Sequence, residues 1–340
     1  MRTLRLLAIL GMAAAAAYFS ACFQEPEGGS FGLEAVNTEL CDACLKAAPD
    51  PDSLEVTIPE ADGKSWPKSL GQLPVYYDLT VDISRGLNHW ILGQLGFLDE
   101  ILTYPPTQSD DNTCTWGPFI PSGLSPVEAQ FEMTQVSDTQ FDYTWSHRPK
   151  NTDGEFTAVW GGEITPATDT ARRGVGNLYM DFTALQGLDP TWDASGRFDV
   201  DYDTYTDGRR IDIEFTDFVG EDSGYPSTGT YHYHNHADNS GEFSYIFDVE
   251  IDGGNSSDPE RASVVTQWEP TGAGTSEFAA SGGDIGSDDT FGSNVTEIGG
   301  IECWDELFGR TYYRIEVRFE SGDPLTLEEE GDEGDCPVFG

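Results

Sequence analysis

The chain has 340 residues, with 61 acidic and 17 basic side chains and a formal charge of −44. A surface of that sign repels nucleic-acid phosphates and anionic lipid head groups, so neither is an expected ligand. Enough chain remains behind the first 40 residues for one large domain or two smaller ones.

The start follows an export pattern. Arg2 and Arg5 give a positive end, residues 6–18 form one apolar run, and Phe19-Ser20-Ala21-Cys22 closes it with small residues. The run is too short to cross a bilayer, which takes ~20 residues. Phe-Ser-Ala-Cys resembles the lipobox of bacterial lipoproteins, with Phe19 where Leu is usual. That resemblance implies a signal peptide over 1–21, removed on export, and acylation of Cys22 as the membrane anchor. Several acyl chains suffice for stable anchoring. Phe23 stands where an Asp would resemble an inner-membrane retention signal, so the resemblance implies the outer membrane. Without Arg2 and Arg5 the chain carries 15 basic and 61 acidic residues, or −46. Only four lysines occur, Lys46, Lys64, Lys68 and Lys150. Such a surface fits a salty or calcium-rich exterior, and equally a soluble, self-repelling one.

Residues 22–40, with Glu25-Pro26-Glu27-Gly28-Gly29-Ser30, read as a flexible tether. Residues 41–125 form a helix-containing region. Within it 83–102 has helical spacing, with Leu87, Trp90, Ile91, Leu95, Leu98 and Leu102 on one stripe, Ser84 as N-cap and Tyr104-Pro105-Pro106 as the stop. This helix is expected to be buried, either plugging the core of a sheet or lying as a lid over a ligand cavity.

From about Pro126 to the end, the chain alternates with period two. Phe141, Tyr143 and Trp145 oppose Asp142, Thr144 and Ser146. The same holds for Leu178, Met180 and Phe182; for Phe198, Val200 and Tyr202; for Ile211, Ile213 and Phe215; for 243–251; and for Tyr313 to Phe319. Turn clusters such as Thr206-Asp207-Gly208 and Asp238-Asn239-Ser240-Gly241 separate these runs at hairpin spacing. The expected fold is therefore mainly all-β: an up-and-down antiparallel meander over 126–340, forming a barrel or half-barrel, with the helical segment packed on it.

Five cysteines follow Cys22. In an oxidising compartment they favour disulfides over metal sites. Cys303 and Cys336 are expected to pair, because the acidic run Glu328-Glu329-Glu330 would otherwise drive the tail away from an acidic body. Cys114 is expected to pair with Cys41 or Cys44, leaving one free thiol. Cys41-Asp-Ala-Cys44 has CxxC spacing but no βαβ context and no second CxxC.

His232, His234 and His236 share one strand parity, which invites a zinc site. Tyr231 and Tyr233 hold the apolar parity, so the histidines belong to the outer face. Asp199, Asp201 and Asp203 invite calcium, but Thr204 and Arg210 fail the EF-hand template. A calcium site near Asp252-Gly253-Gly254-Asn255 or Asp258 stays unspecific. No catalytic residue can be assigned. Thr271-Gly272-Ala273-Gly274, Ser281-Gly282-Gly283-Asp284, Glu302-Cys303-Trp304-Asp305 and Arg310-Thr311-Tyr312-Tyr313 together resemble a set of uncharacterised bacterial outer-membrane lipoproteins, over roughly residues 170–340. That resemblance implies no activity. The expectation is a lipid-anchored envelope protein with a binding or structural role and an unidentified partner or ligand. The alternatives are a metal-dependent enzyme built on His232 and His234, and a carrier of an apolar ligand.

Overall fold

The computed structural model describes residues 37–60, 74–120, 125–168, 172–220, 226–249, 258–283, 285 and 294–339. Cys22, the rest of residues 1–36 with the expected leader, and residues 250–257 lie outside them. Among the described residues, fifteen strands make one antiparallel sheet in which each strand pairs with the next in the chain. They are β1 (Gln108–Ser109), β2 (Thr113–Phe119), β3 (Val127–Ser137), β4 (Gln140–Pro149), β5 (Thr157–Pro166), β6 (Gly174–Asp181), β7 (Ser195–Asp203) and β8 (Arg209–Val219). β9 (Ser227–Asn235), β10 (Gly241–Val249), β11 (Glu260–Trp268), β12 (Gly274–Ser281), β13 (Val295–Trp304), β14 (Arg310–Phe319) and β15 (Leu325–Gly331) complete it. Among the described residues the first and last strands do not pair, so the meander is open rather than a closed barrel.

The helices are α1 (Thr38–Ala47), α2 (Val75–Leu102) and α3 (Phe182–Leu188). The long helix α2 lies across the inward face of the sheet. Near its start Tyr76 stacks on Phe278 of β12, at 5.3 Å between ring centroids, and Thr80 Oγ1 lies 2.8 Å from Thr266 Oγ1 of β11. Further along, Trp90 meets Phe198 of β7 edge-on and Phe97 meets Trp145 of β4. From Tyr76 to Phe97 the helix advances ~32 Å, while the eight strand spacings from β12 to β4 span ~38 Å. The inner path is the shorter one, as it must be when a sheet curls around what it covers. Alternation therefore buries one parity of β2 to β11 with α2 in one large apolar cluster.

Several expectations need correction. The helix begins at Val75, not near 83, and Ser84 is no N-cap: it is buried within the helix and donates to the Val81 carbonyl. The sheet begins at Gln108, before residue 126, with Cys114 and Trp116 of β2 inside the core. Phe182 continues the inward parity of β6 but opens α3, because Asp181 caps the Ala184 N–H. The tether does not extend to residue 40. Asn37 accepts from the Leu40 N–H, and Leu40 is buried.

The cysteines sit where these elements meet. Cys41 of α1 is bonded to Cys114 of β2, and Cys303 of β13 to Cys336 after β15. Cys44 is a free, buried thiol.

Candidate functional site

Three buried groups whose ordinary values are displaced, Glu302, Cys44 and His147, are each held in a hydrogen bond within the fold. Glu302 is 0% exposed. Its Oε2 accepts from the Val75 N–H at 2.6 Å and its Oε1 from the Tyr77 N–H at 2.7 Å. It thus caps α2 from a strand more than 200 residues away, where the first helical amides lack intrahelical partners. Burial pushes its pKa up to about 7, against the lowering effect of those amides. Burial likewise raises the Cys44 thiol to about 11. A thiol so held is a poor nucleophile, and with Cys41 bonded to Cys114 the CxxC spacing has no redox partnership.

His147 is the third such group. Its Nε2 accepts from Trp145 Nε1 at 2.8 Å, and burial pushes its pKa down to about 4 from 6.5. A neutral ring is what the fold holds, so its contribution is fully present above about pH 6.5 and is lost as pH falls through about 4. His147→Gln is therefore expected to lose less stability than the parent chain between pH 7 and 4, by up to about 3 kcal/mol. Urea titrations at the two pH values check this, and an unchanged pH dependence contradicts it.

The distinctive C-terminal pattern resolves into the same lock. Trp304 Nε1 donates to the Gly272 carbonyl at 2.8 Å, and its ring packs on Tyr77. A side chain at Gly274 would collide with the Trp304 ring. Asp305 Oδ1 accepts from Leu307 and Gly309 in the β13–β14 turn. Arg310 lies over the Tyr313 ring and pairs with Glu330. The pattern thus fixes the start of α2 and the last strands.

The outer face of β11–β14 carries a groove of about 400 Å³. Register explains it. One row across the strands is Ser263, Ala279, Gly299 and Glu316, in which the first three side chains are small. A neighbouring row is Val265, Glu277, Ile301 and Arg314, and the row on the other side includes Ser281, Glu297 and Arg318. Small side chains between two tall rows leave a trough. Gly300 faces inward, where a side chain would strike Tyr76 Oη, whereas a Cβ at Gly299 would meet nothing closer than 3.5 Å. Arg318 pairs with Glu297 at 3.2 Å and Glu316 at 3.0 Å, and Arg314 lies 3.7 Å from Glu316 and 3.6 Å from Glu333. With Glu277, the four carboxylates and two guanidinium groups leave the groove at −2.

The three clustered histidines separate. His232 Nδ1 is 2.8 Å from Asp212 Oδ1, on the adjacent strand. His234 and His236 come together, with ring centroids 4.0 Å apart, beside Asp207 of the β7–β8 turn. Asp199 is paired with Arg197, and Asp203 accepts from the amides of Tyr205 and Thr206, so the alternating aspartates serve strand and turn. Sequence reasoning missed Asp207 as a companion of the histidines, and missed the groove entirely. Both depend on which strands and turns become neighbours. No family model, curated protein or solved structure matches the chain.

Proposed function

We propose that this is a lipid-anchored protein of the bacterial envelope that binds rather than catalyses, with the trough across β11–β14 as its ligand surface. The observation that carries this reading is the row of Ser263, Ala279 and Gly299 sunk between two charged rows. Perturbed ionisable groups often mark active sites. Here Glu302 and His147 are committed to the fold, and the trough offers instead a rigid surface built on strands. Its volume lies within the range of small-ligand sites. Paired Arg and Glu side chains present donors and acceptors side by side, while the net −2 disfavours anions. The ligand class that fits is a neutral, hydroxyl-rich glycan of the cell envelope. The anchor at Cys22, read from the lipobox, would hold the domain at that surface.

The test uses the Cys22→Ser chain, which lacks the residue read as acylated, and its retention on isolated neutral polysaccharide of the outer membrane. Gly299→Leu fills the trough floor without backbone strain and is expected to weaken retention by about tenfold or more, equivalent to ~1.4 kcal/mol. Equal retention of the two proteins contradicts the reading.

A further inference from the structure

The geometry points to a second, separate site: a transition-metal ion held by Asp207, His234 and His236 at the end of the sheet where the β7–β8 and β9–β10 turns meet. One ligand atom from each of these residues lies within 4.8 Å of the other two. That spacing is within the reach of a shared ion, since Zn–N and Zn–O bonds of ~2.0–2.2 Å hold ligand atoms ~3–4 Å apart after slight closure.

The turns bring the three together for local reasons. Tyr231 and Tyr233 are buried on the inward face, which turns His234 outward near the end of β9. His236 is fixed by its own hairpin, its N–H donating to the Ser240 carbonyl and its carbonyl accepting from Asn239. Gly208, at φ +76°, sits so close to Asn235 that any side chain there would collide with the Asn235 carbonyl. This close approach presses the β7–β8 turn, and with it Asp207, against the end of β9.

One hydrogen bond already orients the His234 ring. His234 Nε2 lies 2.9 Å from the Asp207 carbonyl oxygen. A carbonyl only accepts, so Nε2 carries the proton and the lone pair of the neutral ring rests on Nδ1. Metal-binding histidines commonly donate their second ring N–H to a backbone carbonyl, which fixes ring and tautomer in this way. The cross-strand neighbours of His234 are Arg210 and Glu242. Arg210 is turned to Asp212, at 2.7 Å. Asp238, in the same hairpin turn as His236, is held by Ser240. Asp207, Glu242 and Asp238 against one arginine leave the neighbourhood favourable to a cation.

Two imidazoles and one carboxylate select a borderline ion such as Zn²⁺, Ni²⁺ or Cu²⁺ over Ca²⁺, which takes oxygen ligands. Three protein ligands leave at least one position for water or an outside ligand. Bound there, the ion cross-links two turns and stabilises the sheet by linkage.

The test is calorimetric titration of the purified, chelator-stripped chain with Zn²⁺, alongside thermal melts with and without the ion. The expected result is one equivalent bound, not displaced by excess Ca²⁺, and a raised melting temperature. His234→Ala and His236→Ala are each expected to weaken binding by about tenfold or more and to abolish the thermal shift. Asp207→Asn weakens it as well. His232→Ala leaves binding unchanged, because that ring belongs to Asp212. Unliganded melting temperatures within a degree or so of the parent establish that the variants are folded. Binding that survives both His234→Ala and His236→Ala, or that falls equally in His232→Ala, overturns the site.

Discussion

Glu302→Ala is expected to destabilise the protein by about 3–5 kcal/mol, because it leaves two buried helix amides without an acceptor and opens a cavity beside them. For a domain of this size that is a fall in Tm of roughly 5–8 °C. The mechanism is specific to the start of α2. Val75 and Tyr77 donate to the two carboxylate oxygens, and Pro74, at the N-cap position, offers no side-chain acceptor of its own. Glu302→Gln keeps one acceptor but turns an amide N–H₂ toward the other donor, so an intermediate loss is expected. The pH dependence separates the cap from simple packing. The folded pKa of about 7 lies above the ordinary 4.5, so the contribution of Glu302 is fully present below about pH 4.5 and declines as pH rises through about 7. The stability difference between the parent chain and Glu302→Gln should therefore shrink from pH 5 to pH 8. His147 and the overall acidic charge are common to both proteins and cancel. A difference that grows with pH would show that burial does not govern this carboxylate.

Cys336→Ser is expected to release the last strand while leaving the core intact. All seven residues of β15 are exposed, so burial contributes little to holding it. What remains is its ladder to β14, the Arg310–Glu330 pair, the Tyr312–Glu329 hydrogen bond at 2.8 Å, and the disulfide from Cys303. Opposing these is the repulsion of Glu328, Glu329 and Glu330 from one another and from an acidic body. Exposed ion pairs contribute less than about 1 kcal/mol each. Closing a loop with a sequence separation of 33 is worth ~3–4 kcal/mol in the chain-entropy model. Amide exchange over 325–331 should therefore accelerate by roughly 10²–10³-fold in Cys336→Ser, while amides of α2 and β11 keep their protection. Unchanged exchange in β15 would mean that the ladder alone holds the edge.

Much of this fold is legible in the residues themselves. Alternation at Phe141, Tyr143 and Trp145, and at Phe198, Val200 and Tyr202, marks strands with one buried face, and these side chains are buried. Asp/Asn/Gly turns at hairpin spacing give a meander. The hidden parts have physical causes. In β2, Gly117 and Pro118 break the alternation after Trp116, so the strand carries no clear period. The first turns of α2, with Tyr76, Tyr77, Leu79, Thr80 and Val81, are buried almost all round, which blurs a stripe. Their cap, Glu302, is remote in sequence. Whether the sheet closes was also hidden, because alternation is the same in an open and a closed sheet. The candidate sites needed register. Ser263, Ala279 and Gly299 form one row only once three strands are aligned, and Asp207 joins His234 and His236 only once two turns touch.

The most direct measurement of the central claim is amide chemical-shift mapping of the isotope-labelled Cys22→Ser chain during titration with solubilised envelope glycan. A ligand seated in the trough should perturb Ala279, Gly299, Ile301 and Arg314, on three adjacent strands of the outer face, and leave Trp90 and Phe198 beneath α2 unmoved. Perturbations concentrated on α2 and its inward partners, or no perturbation across β12–β14 at saturating ligand, would contradict binding at this surface.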